Sequence, residues 1–232
     1  MENDTAFRHE LKYLINRRDM DSCISRISRF AGFDEHASGD GYLVRSMYYD
    51  DMDCSAYEDK ENGVRGRYKF RIRMYDMDDS FICLEKKIKE GSFVRKESAV
   101  LSTEEYDMIR CGKTDHLLGR KEPAANDFAA QSRIKRLHPE VIVDYHRIPF
   151  VYEHGTVRIT FDTDIKAVNS NDIMRKDAPA YNVLPTDVLI MEVKYTEFLP
   201  EIFTAILPTE GCRLASSKYV MCVDVLRRMM LR

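Results

Sequence analysis

From Arg67 to Tyr75 the chain alternates without a break: Arg67, Lys69, Arg71, Arg73 and Tyr75 on one side, with Tyr68, Phe70, Ile72 and Met74 between them. Strict period-two alternation describes a strand with one apolar and one polar face. Here the polar face carries four cations about 7 Å apart. Left facing water, such a ladder is an ordinary wet sheet face. Turned inward it demands an anion, because like charges stacked along and across strands repel.

Other stretches repeat the pattern. FRHELKYLI sets Arg8, Glu10 and Lys12 against Phe7, Leu11 and Tyr13. FICLEKKI sets Glu85 and Lys87 against Ile82 and Leu84, with Lys86 interrupting, and SFVRKES offers Arg95 and Glu97. TVRITFD sets Arg158, Thr160 and Asp162 against Val157, Ile159 and Phe161. LIMEVKY sets Glu192 and Lys194 against Leu189, Met191, Val193 and Tyr195, and VDYHRIPF adds Tyr145 and Arg147.

Eight strands are therefore expected, at 7–15, 42–50, 67–76, 80–88, 92–99, 140–148, 156–163 and 188–195. Apolar spacing predicts helices at 18–31, 53–61, 126–137 and 219–231, with a shorter turn at 200–206. Ser102 and Glu105 form a capping box that opens another. No repeat or long Gly/Ser linker divides the 232 residues, so one domain over 1–232 is expected, with 111–127 as a loop between helices. Strands that neighbour one another in sequence point to an α+β, mainly β fold: an antiparallel sheet or closed barrel with helices outside.

Composition narrows the function classes. A net charge of −3 argues against a general nucleic-acid binder, so cations must cluster locally. Aromatics are not interleaved with the cations apart from Tyr75 and Tyr145, which disfavours single-stranded nucleic acid. The six cysteines are scattered without a CxxC pair, so reduced buried thiols are expected, not a disulfide framework or zinc site. His9 and His146 fall opposite the charged faces, and no Ser-His-Asp or Cys-His spacing supports a nucleophilic enzyme. MENDTAFRHE lacks the regions of a secretory signal and no apolar run approaches the roughly 20 residues of a membrane span. A cytoplasmic protein without a membrane segment is expected; oligomeric state is left open.

If the strands close, their polar faces become a lumen dense in Lys and Arg, which is sensible around a polyanion. Phosphate fits, since Arg offers a planar fork and Lys a compact point charge. Each charge-assisted hydrogen bond contributes about 1.5–3 kcal/mol. Glu10, Glu85 and Glu192 then have two readings: ligands for Mg²⁺ or Mn²⁺, or internal counter-ions for the arginines.

Taken in order, FRHELKYLI, RSMYYDD, KFRIRMY, LEKKI, YHRIPF, VRITFD, LIMEVKY and SSKYV resemble the triphosphate tunnel metalloenzymes over nearly the whole chain. Within them the likeness is to the polyphosphate polymerase domain of the vacuolar transporter chaperone (VTC) family. The resemblance implies an eight-stranded antiparallel closed tunnel that moves the γ-phosphate of ATP onto a growing polyphosphate chain, with Mn²⁺ or Mg²⁺. It implies Lys12, Arg71, Arg73, Lys87, Arg158 and Lys218 as phosphate clamps in the catalytic centre. Arg8, Lys69, Arg95, Arg147, Lys194 and Ser217 become further substrate contacts. Glu192 becomes the principal metal carboxylate, with Glu10 and Glu85 beside it.

One departure bears on the reaction. Hydrolytic tunnel enzymes carry E-x-E-x-K on the first strand, where this chain reads Arg8-His9-Glu10-Leu11-Lys12. That removes a metal carboxylate, adds a phosphate donor and favours the polymerase over triphosphatase and adenylate cyclase branches. The implied partners are ATP and inorganic polyphosphate or triphosphate. A hydrolase of the same fold and a non-catalytic phosphate-binding module are the alternatives. Arg71→Ala and Arg73→Ala are each expected to lose turnover with the fold intact.

Overall fold

A computed structural model describes residues 7–34, 37, 40–152, 156–208 and 212–231. Its sheet contains β1 (Arg8–Asn16), β2 (Gly32–Phe33), β3 (Tyr42–Asp50), β4 (Arg67–Tyr75) and β5 (Asp78–Glu90). It continues with β6 (Phe93–Leu101), β7 (His138–Tyr152), β8 (Val157–Val168), β9 (Ala180–Asn182) and β10 (Val188–Tyr195). Neighbours run in the order β7-β3-β4-β5-β6-β1-β10-β8, and β8 pairs back onto β7. Eight antiparallel strands thus close on themselves, as expected. β2 and β9 sit on β7 and β8 as additions of two and three residues, too short for any periodicity to reveal.

The closure is uneven. β7 and β8 share a long ladder, whereas among the described residues β6 and β1 meet through Arg8↔Val94 and His9↔Phe93. Beyond that seam the free edge of β1 takes a different partner: the Leu214 amide donates to the Lys12 carbonyl at 2.8 Å, beside a bridge from Tyr13 to Arg213. The β4–β5 turn uses Asp76 and Met77, both at positive φ, without the glycine that usually marks such a hairpin. Asp76 offsets this by accepting the Leu43 amide at 2.8 Å.

Four helices jacket the outer strand faces. α1 (Arg17–Ile27) is capped by Asn16, whose side chain accepts the Asp19 amide. Together with α5 (Glu201–Thr204) it covers Tyr13, Ile15, Ile159, Phe161, Met191 and Val193. α3 (Thr103–Arg110) opens on the expected Ser102–Glu105 capping box, with both arms formed. α4 (Pro123–Lys135) starts earlier than apolar spacing predicts because Pro123 occupies its first turn, where its missing N–H costs nothing. α3 and α4 pack Tyr106, Ile109, Phe128 and Ala129 onto Met47, Phe70, Ile72 and Leu84. The apolar half of the Arg67–Tyr75 alternation is therefore spent on this outer core.

The two remaining helices serve the interior. α2 (Ser55–Glu61) follows β3, and the buried carboxylate of Asp50 accepts the Ala56 and Tyr57 amides at 2.8 and 3.0 Å. α6 (Lys218–Met230) packs Tyr219, Val220, Val223 and Leu226 against Val44, Val141, Val143 and Ile190. By strand alternation those residues share faces with Ser46, Arg147 and Glu192. α6 therefore walls part of the lumen instead of coating the outside.

None of the six cysteines is in a disulfide, but only Cys23, Cys83 and Cys222 are buried; Cys111 is exposed and Cys54 and Cys212 are half-buried, a partial correction of the expectation. Among the described residues no helix is long and apolar enough to cross a membrane.

Phe128 stacks edge-on against Tyr49 and Phe70 and is fully buried. Phe128→Ala is expected to cost about 3–5 kcal/mol. Urea unfolding measures this, and a loss below about 1 kcal/mol would show that α4 is not docked as described.

Candidate functional site

Register decides which charges meet. Pairing places Arg71 opposite Glu85, Lys69 opposite Lys87 and Arg67 opposite Lys89. Across the barrel it places Lys12 opposite Glu192, Glu10 opposite Lys194, and Arg147 opposite Asp162. These side chains share the lumen-side strand faces. They enclose one channel bordered by Lys12, Lys69, Arg71, Arg73, Lys87, Arg147 and Lys194, with Ser217 and Lys218 at the start of α6. Glu10 and Glu192 are the two carboxylates on its border.

Four buried carboxylates organise the cations. Glu10 lies 2.8 Å from Lys87, 3.2 Å from Lys12 and 3.8 Å from Lys194. Glu192 lies 2.5 Å from Lys218, 3.7 Å from Arg147 and 3.9 Å from Lys194. Asp162 takes both prongs of Arg147 at 2.7 and 2.8 Å, and Lys218 at 2.6 Å. Glu85 is held by Arg71 at 2.6 Å, Lys96 at 2.9 Å and Arg73 at 3.7 Å.

Burial opposes every one of these charges, and the balance differs by group. It would raise Glu10, but Lys12 and Lys87 outweigh it and hold the carboxyl well below the usual range. Glu192, against burial, is held low by Lys218 and Lys12, and Glu85 by Arg71 and Arg73. Lys194 goes the other way: burial pushes its amine down to about 7 despite Glu10 and Glu192. Burial, with Lys12 and Lys87 nearby, lowers Lys69 well below an ordinary lysine. The channel thus has more cation than its carboxylates neutralise.

A divalent metal finds a limited donor set. Among the described residues no group of three His, Cys, Asp or Glu side chains is placed to hold one. Glu85 does not border the channel and both its oxygens are taken by cations, so of its two readings the geometry gives the counter-ion. Glu10 and Glu192 remain, close enough to share Lys194. Two carboxylates fit Mg²⁺ when phosphate oxygens and water supply the rest of its coordination.

Most of the residues anticipated from sequence converge here, but besides Glu85 three do not. Arg95 points out of the barrel, where it pairs with Glu97 at 3.1 Å and lies over the Phe7 ring, while its neighbour Lys96 turns inward. Alternation in β6 is offset by one residue from the expected phase. Arg158 is a third exposed and is bound to Asp34 at 2.7 Å and the Tyr42 hydroxyl at 3.3 Å, off the channel border. Arg8 lies at the outer end of the same β1 face, also off the border.

Other bordering residues were not assigned to the site from sequence, although Arg67 and Tyr145 had been read on polar strand faces. Lys89 continues the Lys87 phase of β5, and Arg67 begins the β4 ladder, so both were within reach of alternation. Lys60 comes from α2, Tyr48 and Tyr219 are phenols among apolar neighbours, and Tyr145 shares the β7 face of Arg147. Tyr48 accepts from Arg71 at 2.9 Å and Tyr145 from Arg73 at 3.2 Å. Asp162 was seen as a strand-face carboxylate, but its pairing with Lys218 depends on α6 entering the barrel.

Comparisons with known proteins agree with this architecture. The sequence profile of the VTC domain matches residues 7–227. No curated protein matches the sequence. Among solved structures, a Bacillus halodurans protein provisionally assigned as an adenylate cyclase is similar at 16% identity, TM-score 0.52, over 88% of this chain and 94% of that one. A Vibrio parahaemolyticus protein with the same provisional assignment gives 12% identity and TM-score 0.50, over 93% and 97%. The PH1012 protein of Pyrococcus horikoshii gives 10% identity and TM-score 0.51, over 91% and 96%. At these identities the likeness is one of fold. The profile match spans all but the ends of the sequence, and the chain belongs to the VTC domain family.

Proposed function

We propose that the channel binds linear phosphate chains and transfers the γ-phosphoryl group of ATP to the terminal phosphate of polyphosphate. The observation that carries this reading is the enclosed surplus of cations left after Glu10, Glu85, Asp162 and Glu192 are satisfied. In the reaction the bond from the γ-phosphorus to the β-bridging oxygen breaks, a bond to an acceptor phosphate oxygen forms, and ADP leaves. Such transfers require chiefly positioning and charge stabilisation. Lys12, Lys87, Arg71 and Arg73 would hold donor and acceptor phosphates in line, while Lys218 and Arg147 carry charge from the α6 side. Glu10 and Glu192 would hold Mg²⁺ or Mn²⁺, which when bound supplies further positive charge to the transferring group.

The ion pairs favour transfer over hydrolysis. Glu10, Glu85, Asp162 and Glu192 are all held in charged form by neighbouring cations, which makes them weak bases for activating water. A terminal phosphate oxygen is already anionic and needs no base. Incubation with ATP and Mn²⁺ is expected to yield long-chain polyphosphate on a gel; free phosphate alone would identify a hydrolase, and no turnover with tight binding a binding module.

The Arg71–Glu85 pair changes what its variants report. Arg71→Ala strips the nearest partner from a buried carboxylate and is expected to lose stability as well as turnover, on the order of 3 kcal/mol. Arg71→Lys keeps the charge but loses the fork, and is expected to cut turnover about tenfold with stability within about 1 kcal/mol. Full activity in Arg71→Lys would remove Arg71 from the phosphate clamps.

Binding should also move protons. Besides Lys69, Lys89 is lowered to about 8 by burial and Lys12, with Glu10 opposing and Arg67 and Lys87 adding. A phosphate chain favours the charged amines, so binding takes up protons and affinity falls as pH rises from about 7 to about 9. Without ligand the sign in stability is fixed by the depressed folded-state values: this contribution is present at about pH 10 and lost as pH falls through about 8. Calorimetric titration of polyphosphate in buffers of different ionisation enthalpy measures the uptake. A heat independent of buffer would mean the lysines are charged beforehand.

A further inference from the structure

The cations of the channel fall into two sets. One set surrounds the four buried carboxylates. The other comprises Lys60, Arg67, Lys69 and Lys89, which border the same channel yet make no ion pair with a carboxylate among the described residues. Among the described residues Lys69 meets the Ser217 hydroxyl at 3.3 Å and the face of the Tyr219 ring, 4.3 Å from its centroid. Arg67 donates to the Val64 carbonyl, a neutral partner.

This second set is arranged unfavourably for an empty fold. Arg67 stands directly opposite Lys89, and Lys69 directly opposite Lys87. Opposed like charges destabilise a sheet unless an anion lies between them. All four residues are half-buried, so water screens them only partly. Burial followed by Arg67 lowers Lys60, as burial and other lysines lower Lys69 and Lys89. Lys60 is brought to this position by α2, whose first turn is fixed by Asp50; the same carboxylate accepts the Tyr219 hydroxyl of α6. The fold thus delivers a cation from outside the sheet to a place already crowded with them.

Resting on the polyphosphate reading, we propose that Lys60, Arg67, Lys69 and Lys89 form an extension subsite at one end of the channel that holds phosphates of a linear inorganic chain beyond the reacting triphosphate. The subsite selects long chains over lone triphosphates and takes no part in bond breaking. Its chemistry is that of repeating phosphate: four cations and no amide, and the adjacent Tyr219 ring is already covered by Lys69, which leaves no free platform for a nucleobase.

The double variant Lys60→Ala/Lys89→Ala tests this, with Lys60→Gln/Lys89→Gln as the alternative if the alanine form does not fold. Affinities for tripolyphosphate and for long-chain polyphosphate are measured by calorimetry on wild type and variant. Two lost charge-assisted contacts are expected to weaken long-chain binding about tenfold or more, with tripolyphosphate changed less than about twofold. The salt dependence should become shallower for the long chain alone. Equal losses for both ligands, or no loss for either, would overturn the subsite while leaving the polyphosphate reading in place. Wild-type protein that binds neither ligand would overturn that reading, and the subsite with it.

Discussion

Repulsion among cations inside a closed barrel is the constraint that the rest of this molecule answers to. A sheet that turns Lys12, Lys69, Arg71, Arg73, Lys87 and Arg147 toward one axis cannot close unless something offsets their charge. Four carboxylates do part of this, each from a different strand: Glu10 on β1, Glu85 on β5, Asp162 on β8 and Glu192 on β10. Each is fully surrounded by cations, so removal of any one leaves several buried charges uncompensated. The apolar jacket supplies the stability that this interior does not, because ion pairs this deep roughly balance their own desolvation.

The offset is incomplete: Glu10 is taken up by Lys87, and among the described residues no carboxylate pairs with Arg67, Lys69 or Lys89 on the same two rungs. A fold made only for stability would place a Glu there. The incomplete neutralisation is what turns an internal ion-pair network into a receptor, since an arriving phosphate chain relieves strain that the empty channel carries.

Alternation made the barrel legible. Each strand that buries one face on helices and one on charge has to write both into every second residue, and β1, β4, β5, β7, β8 and β10 did so clearly enough for the inward face to be read. β6 failed because Arg95, Lys96 and Glu97 are three charged residues in a row, and phase cannot be read from a run without an apolar member. Arg158 lay in correct phase yet was claimed by Asp34, a partner outside the strands that no spacing relates to it. Lys60 and Lys218 reach the channel from helices; SSKYV offered a family likeness for the second and nothing offered one for the first. The α6 surface against Val143 and Ile190 was legible as an apolar stripe, but a stripe does not say whether it faces the inside or outside of a barrel.

The position of Lys218 has a consequence for how the protein assembles. Its ammonium group completes the surroundings of both Asp162 and Glu192, yet it arrives on the final helix, after every strand of the barrel has been synthesised. Until that helix inserts, Asp162 keeps its pairing with Arg147, Glu192 keeps only the longer contacts to Arg147 and Lys194, and the channel lacks one wall. Pairings this distant in sequence form slowly. A nascent chain therefore passes through a stage with its sheet drawn but its receptor unfinished, and competence for anions comes as the last act of folding.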